Sequence, residues 1–258
     1  MTDVIIESIK GGSINANNIS FDVLRRTAGR DTGRWNELGR GRAILDSYEQ
    51  LDQYLYSYGP MTKSQWSSFL PHVSLPNGKL MLTDYGCGQG LGSALLLDHF
   101  GVSLTGRLEH VRLIEPSSVA LERAAYVAAC YLGDLNSPPI SIINKKLDDL
   151  SPDDMQKNSS SSQVHLLSNV LDIDGFNHEM LFSKIFQVPG EHTVLAASHD
   201  RGFYGGSSRF EQLETEVKNP KYSQWLSVRT SNVGKFSCEN GQAAICWELH
   251  VEVLSGSV

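Results

Sequence analysis

Short apolar runs alternate with longer amphipathic segments from about residue 80 to residue 218. The runs LMLTDYG, HVRLIEP, ISIINKKL, VHLLSNVLDI and HTVLAASHD are predicted strands. Helices are predicted between and after them, most clearly at GSALLLDHF, SSVALERAAYVAACYLG, HEMLFSKIFQV and SRFEQLETEVK. Strands that alternate with helices indicate a parallel sheet with helices on both faces.

The chain closes with QWLSVRTS and AAICWELHVEVL, and the second of these alternates apolar and polar positions with a period of two. Because no helix separates the two strands, they predict an antiparallel pair appended at one edge of the sheet. We therefore expect a single α/β domain over residues 73–258.

The first 72 residues follow a different pattern. Residues 1–20 are rich in turn formers and predict irregular structure, whereas FDVLRRTA, RAILDSYEQLDQYLYSYG and TKSQWSSFL have helical apolar spacing. The tyrosines within these segments are expected to belong to the core rather than to a ligand site. Residues 1–72 are thus predicted to form an N-terminal helical extension.

Composition narrows the class of protein. The 258 residues are 40% hydrophobic and 20% charged, which is typical of a globular chain. No apolar run is long enough to span a membrane and no signal peptide begins the chain, so we expect a cytoplasmic protein without a membrane partner. The cysteines form no C-x-x-C pair, which favours free thiols over a metal site: Cys87, Cys130, Cys238 and Cys246.

Charge is unevenly distributed. The formal net charge of −7 argues against a general nucleic-acid binder. Half of the chain's arginines nevertheless lie in one short segment: Arg25, Arg26, Arg30, Arg34, Arg40 and Arg42. This Arg25–Arg42 cluster either meets RNA, a phosphorylated ligand or an acidic partner, or consists of solvated side chains paired with nearby carboxylates.

The stretch LTDYGCGQGLGS, residues 82–93, places a glycine-rich turn between a predicted strand and a predicted helix. In this context the backbone amides at the start of the helix favour an anionic group of a ligand. A dinucleotide fingerprint requires G-x-G-x-x-G, but the sixth position is Leu91 when counted from Gly86 and Ser93 when counted from Gly88. A nicotinamide-dependent oxidoreductase is therefore disfavoured.

The pattern that is present, D-x-G-x-G-x-G at Asp84, Gly86, Gly88 and Gly90, resembles the first motif of the class I S-adenosylmethionine-dependent methyltransferases. The resemblance implies a Rossmann-like, doubly wound and mostly parallel sheet, with S-adenosyl-L-methionine as cofactor. It also implies that Asp84 lies on the ammonium side of that cofactor while the loop amides face its carboxylate. A pyrophosphate would suit this loop less well, because Asp84 is an anion.

Two further carboxylates follow strands in the order that the resemblance implies. Glu115, after the second strand, is placed to accept both ribose hydroxyls, although a surface glutamate is the alternative. Asp148, after the third strand, takes the adenine amine in this family, although a helix N-cap is the alternative.

Candidates for the acceptor side follow the fourth and fifth strands. Ser168-Asn169-Val170-Leu171 departs from the N/D-P-P-Y/F motif of adenine and glutamine methyltransferases, so those activities are not expected. Asn169 and Asp172 are candidates to face the cofactor or the acceptor, and the alternative for Asp172, as for Asp174 and Asn177, is a helix-capping or turn residue. His199, a candidate base, and Tyr204 follow the fifth strand.

The sequence thus predicts a methyltransferase with an unidentified acceptor, which is a small molecule, a protein or an RNA. The N-terminal helices would cover the cofactor crevice and help to select that acceptor, as the resemblance implies. The alternative is a non-catalytic S-adenosylmethionine-binding regulatory or interaction module. This alternative is motivated by the departure from the N/D-P-P-Y/F motif after the fourth strand and by the lack of an evident catalytic group.

Overall fold

A computed structural model describes residues 2–133, 138–155, 162–173, 177–200, 206–238, 241 and 243–254. Seven strands form one sheet in the order β3-β2-β1-β4-β5-β7-β6. The first five strands pair in parallel, and β7 pairs antiparallel with both β5 and β6. The strands are β1 Leu80–Tyr85, β2 Leu108–Ile114, β3 Ile140–Ile143, β4 Ser162–Ser168, β5 Gly190–His199, β6 Leu226–Ser237 and β7 Ala243–Val253.

Helices cover both faces of this sheet. Four precede the first strand: α1 Val4–Lys10, α2 Phe21–Thr27, α3 Tyr48–Ser57 and α4 Gly59–Phe69. The others follow it: α5 Leu91–Phe100, α6 Val102–Thr105, α7 Ser118–Leu132, α8 Pro152–Met155, α9 His178–Ile185 and α10 Gly206–Val217. Short 3₁₀ turns cover Trp35–Gly41, Leu70–His72, Leu147–Asp149 and Pro220–Tyr222.

Alternation along the strands divides the core into two layers. In β4, Leu166 packs with α5, α7 and the N-terminal helices, whereas its neighbour Leu167 packs with α9 and α10. Leu195 and Ala196 in β5 divide in the same way. Successive side chains of a strand point to opposite faces, so each parallel strand carries apolar residues for both layers, as the largely apolar runs of the sequence indicate.

The α/β architecture predicted from the sequence is confirmed, including the antiparallel strand pair at one edge. Two local predictions are wrong. Residues 1–20 are not irregular throughout, because Asp3 caps α1 by accepting hydrogen bonds from the backbone N–H groups of Ile5 and Ile6. The predicted helix over residues 42–59 begins at Tyr48, since Ser47 is its N-cap.

The four cysteines are buried and free, as predicted. Within the described ranges, no helix is long and apolar enough to cross a membrane. The same ranges contain no group of three or more histidine, cysteine or acidic residues that could hold a metal ion.

Candidate functional site

A cavity of about 390 Å³ opens at the carboxyl ends of β1, β2 and β4. Its floor is the glycine loop after β1, and its walls are the residues that follow β2, β3 and β4. In a doubly wound sheet, ligands bind where the strand order reverses, which here is between β1 and β4. The volume lies within the range of small-molecule sites, about 300–1,000 Å³.

The glycine loop requires left-handed backbone at alternate positions. The φ angles are +60° at Gly86, +53° at Gly88 and +83° at Gly90. Residues other than glycine adopt positive φ angles only at a cost in free energy. A Cβ at Gly86 would approach Val170 to 2.9 Å, and one at Gly90 would approach Ala124 to 3.2 Å. A Cβ at Gly88 would meet no described atom within 4 Å, because Gly88 faces the cavity.

Glu115 lines the cavity and is only 8% exposed. Its Oε2 accepts a hydrogen bond from the Gly88 N–H and its Oε1 one from the Ser117 N–H, both at 3.0 Å. Burial raises the pKa of this carboxyl above its usual value, and the two backbone donors oppose that rise. Each carboxylate oxygen can accept further hydrogen bonds, so Glu115 retains capacity for a hydroxyl-bearing ligand.

Asp84 lies beneath the loop and is 1% exposed. Its Oδ2 accepts a 2.6 Å hydrogen bond from the Ser93 hydroxyl, whereas its Oδ1 is buried without a hydrogen-bond partner. Burial, reinforced by the nearby charge of Glu115, raises the pKa of Asp84 to about 7. In the described part of the chain, neither Asp84 nor Glu115 has a cationic side chain in ion-pairing distance.

Asp148 and Asn169 both line the cavity. Asp148 is exposed on the 3₁₀ turn after β3, and its Oδ1 accepts a hydrogen bond from the Asn177 N–H at 3.0 Å. Asn169 has φ +56°, and its side-chain amide donates to Gln65 Oε1 at 3.0 Å. Asparagine tolerates this left-handed conformation better than most residues, so the turn after β4 does not require a glycine.

The remaining sequence candidates lie elsewhere. Asp172 is buried and accepts a hydrogen bond from the Ser198 hydroxyl at 3.3 Å, and it is not among the described residues that line the cavity. His199 ends β5, and its buried Nδ1 has no hydrogen-bond partner among the described residues. The structure does not bring His199 to the cavity wall either. Tyr204 lies outside the described residues.

The N-terminal residues form the roof of the cavity. Residues 41–45 line it together with Leu51, Tyr54 and Thr62. The roof is fixed to the α/β part by the Leu45 carbonyl, which accepts from Ser117 Oγ, and by the Leu51 carbonyl, which accepts from Gln89 Nε2. The expectation that the N-terminal part covers the crevice did not single out residues 43–45, which the sequence placed within a helix. The S-x-x-Q spacing of Ser47 and Gln50 was the available signal that residues 42–46 precede the helix.

A buried arginine joins the roof to the glycine loop. Arg123 of α7 is 1% exposed and bonds Asp3 Oδ2 at 2.6 Å and Gln89 Oε1 at 2.8 Å. Its third contact is an ion pair with Asp52 of α3 at 2.9 Å. Burial raises the pKa of Asp52, and the arginine opposes that rise. One side chain thus connects α1, α3 and the loop.

No protein-family model matches this sequence, and no curated protein matches it. Among solved structures, the chain is similar to the plantazolicin methyltransferase BpumL in complex with a monoazolic desmethylPZN analog and SAH. That likeness has 15% identity, a TM-score of 0.50 and coverage of 95% of this chain and 98% of that one. The same enzyme with a pentazolic analog gives 14% identity, a TM-score of 0.50 and coverage of 94% and 98%.

A SAM-dependent methyltransferase from Leishmania major is 14% identical, with a TM-score of 0.47 and coverage of 83% of this chain and 81% of that one. The chain has a class I methyltransferase fold. At these identities the likeness establishes the architecture alone, because proteins with the same fold can differ in function.

Proposed function

We propose that this protein is an S-adenosylmethionine-dependent methyltransferase. The observation that carries the proposal is the pair of buried carboxylates, Asp84 and Glu115, beside a glycine loop and without a cationic partner in the described chain. Burying carboxylates in this way is costly unless a ligand compensates them. A ligand with an ammonium and a sulfonium supplies that compensation, whereas the pyrophosphate of a dinucleotide would add further negative charge.

The residues present fit this cofactor. Asp84 would lie on the ammonium side, the glycine loop would face the carboxylate, and Glu115 would hold the ribose hydroxyls. The Gly88 and Gly90 N–H groups already donate to Glu115 Oε2 and to the Cys87 carbonyl. Asp148 would hold the adenine amine. The open space beside Gly88 supports this assignment. Asp84 is not among the described residues that line the cavity, so it would act from beneath the loop. When bound, the cofactor supplies a methyl group that its sulfonium already activates, so the protein need only position the acceptor and exclude water.

Residues 1–72 are proposed to act as the cap that selects the acceptor, over a donor-binding domain of residues 73–258. The support is that Tyr54 and Thr62 line the same cavity as Asn169. Asn169 also bonds Gln65 of α4, so an acceptor at this wall would contact both parts of the chain. Asn169 is therefore proposed to face the acceptor as well as the donor.

Calorimetry with S-adenosylmethionine and S-adenosylhomocysteine tests donor binding, using a matched pair of glycine variants. Gly88 and Gly78 both have left-handed backbone, with φ +53° and +81°, and neither has a described atom within 4 Å of an added Cβ. Gly88→Ala and Gly78→Ala should therefore carry the same strain of about 1–2 kcal/mol. Only Gly88→Ala should weaken donor binding, because its methyl enters the cavity.

Equal affinities in both variants, or no binding by the wild-type protein, would contradict the assignment of the donor site. Activity is tested separately by transfer of a labelled methyl group from the donor to components of a cell lysate. Donor binding without transfer to any component would favour the non-catalytic module over the enzyme.

A further inference from the structure

We propose that the methyl acceptor is single-stranded RNA, held by a surface formed by the exposed side chains of Arg25, Arg26, Arg30, Arg34, Trp35, Arg40 and Arg42, here called the arginine surface. The proposal deepens the proposed function by naming the class of acceptor, and it rests on that function. Four properties of the surface carry it: its excess of positive charge, its fixed position, its place beside the cavity and its exposed tryptophan.

The first property is an excess of positive charge, although Arg34 pairs with Glu37 at 2.8 Å. Residues 21–46 carry six arginines and four carboxylates, in a chain whose net charge is −7. Among the described residues, Arg25, Arg26, Arg30 and Arg40 have no ion-pair partner. The carboxylate of Asp22 pairs with Lys63 instead, at 2.7 Å.

The second property is a fixed position. The segment between Gly29 and Glu37 lies along α3 and is tied to it at three places. The Gly29 N–H donates to Asp52 at 3.1 Å, the Thr32 N–H donates to Gln53 at 2.8 Å, and Glu37 accepts from Gln50 at 2.9 Å. The arginines between these ties are therefore presented on a defined surface rather than on a loose tail.

The third property is continuity with the cavity. Arg42 lines the cavity mouth, and the neighbouring Gly41 lies against the rings of Tyr54 and Tyr58. An anionic chain bound along this surface would therefore pass the opening in which the acceptor group must enter.

The fourth property distinguishes RNA from an acidic peptide. Trp35 directly follows Arg34 in the chain and is 56% exposed, so a large aromatic side chain is open to solvent next to an arginine. Aromatic faces and guanidinium planes stack on unpaired bases, and the guanidinium fork matches phosphate oxygens. An acidic peptide would use the charge but has no planar bases for Trp35. The clustering of six arginines within residues 25–42 also explains how an acidic protein can bind a polyanion locally.

The test measures binding of a short fluorescein-labelled single-stranded RNA of mixed sequence by anisotropy, at several KCl concentrations. Arg26→Ala and Arg30→Ala should each weaken binding about threefold or more and reduce the slope of log K against log[KCl] by about 0.7. Lys79→Ala is the matched control. Lys79 is exposed directly before β1, at the amino end of that strand, whereas the cavity opens at the carboxyl end. This variant should leave both quantities unchanged.

Trp35→Ala should weaken binding about tenfold with little change in the salt slope, and Trp35→Phe should retain most of the affinity. All of these variants should bind S-adenosylhomocysteine like the wild-type protein. The inference is overturned if the arginine variants behave like Lys79→Ala. It is overturned equally if a poly-glutamate peptide binds as tightly as RNA and Trp35→Ala has no effect, which would indicate a protein partner. RNA binding without any donor binding would refute the proposed function and leave the arginine surface as an RNA site alone.

Discussion

At the scale of single residues, the site is dominated by carboxyl groups that lie where solvent cannot stabilise their charge. Asp84 is the extreme case, since its pKa rises to about 7 from an ordinary value of 3.8. The folded state therefore keeps a proton that the unfolded chain releases. This group's contribution to stability is fully present below about pH 4 and is lost as the pH rises to about 7.

Asp84→Asn should remove this pH dependence, because the amide is neutral at every pH in the window. Between pH 4 and pH 7 the wild-type protein should lose up to about 4 kcal/mol of unfolding free energy relative to the variant. Urea unfolding of both proteins across this range measures the difference. Parallel stability profiles would show that Asp84 is ionised in the folded state at neutral pH.

Glu115 provides the second prediction at this scale. Glu115→Ala removes the acceptor of the Gly88 N–H, so the loop loses its anchor as well as the group proposed to hold the ribose. Affinity for S-adenosylhomocysteine should fall at least about tenfold, which corresponds to about 1.4 kcal/mol. Calorimetry should find no change for Glu109→Ala, since Glu109 is exposed near the start of the same strand. Equal losses in both variants would contradict the role of Glu115.

Sequence patterns located Glu115 and Asp148 at the cavity because each follows a strand, and the carboxyl ends of parallel strands share one edge of the sheet. They could not reveal that Asp172 is turned toward Ser198, or that His199 is not at the cavity wall. These orientations depend on side chains that meet only after folding. The residues adjacent to Asp172 and His199 in the sequence do not indicate these contacts.

At the scale of elements, the N-terminal helices depend on Arg123. Replacing it with leucine would leave Asp3 and Asp52 buried without their cation, and Gln89 of the glycine loop without a donor. We expect Arg123→Leu to lower the unfolding free energy by about 3–5 kcal/mol. Arg229→Leu is the control, because its ion pairs with Glu191 and Glu252 are exposed and should contribute less than about 1 kcal/mol.

Urea unfolding compares the two variants. Adding Asp3→Asn and Asp52→Asn to Arg123→Leu should recover part of the loss, since the uncompensated charges are then gone. If the added changes only destabilise the protein further, the loss comes from packing around Arg123 rather than from its charge.

The boundaries of elements show what the apolar spacing can and cannot predict. Ile44 and Leu45 fit the helical spacing of the following residues, yet both precede α3 and line the cavity roof. Spacing alone cannot separate a helix from an irregular segment that buries side chains on the same side. The cap at Ser47 decides the boundary, because its hydroxyl accepts from the Gln50 N–H.

At the scale of the whole molecule, the order of strands and helices along the chain was sufficient to predict the architecture. Each parallel strand has a largely apolar run, and β6 and β7 follow each other without a helix, which leaves few arrangements of the sheet. The sequence did not indicate how closely the N-terminal helices join the sheet. Phe21, Trp66 and Phe69 belong to the same apolar cluster as Leu82 and Leu96.

That shared cluster leads to a prediction about residues 73–258 by themselves. Without residues 1–72, the faces of α5 and α7 that pack against Phe21, Leu24 and Trp66 would be open to water. Each large apolar side chain left exposed costs about 1.5–3 kcal/mol, and the loss of several would exceed the usual stability of a domain. The truncated chain should therefore bind a hydrophobic dye and lack a cooperative thermal transition.

The full chain, by contrast, should unfold in one transition by both tryptophan fluorescence and far-ultraviolet circular dichroism. These probes report on both parts of the molecule, because Trp66 lies in α4 and Trp247 in β7, and both are fully buried. Two separate transitions, or a cooperative transition in the truncated chain, would show that residues 73–258 fold independently. The cap would then be able to detach from the donor site. A single transition means that the roof and floor of the cavity form together, so that a ligand bound between them stabilises both.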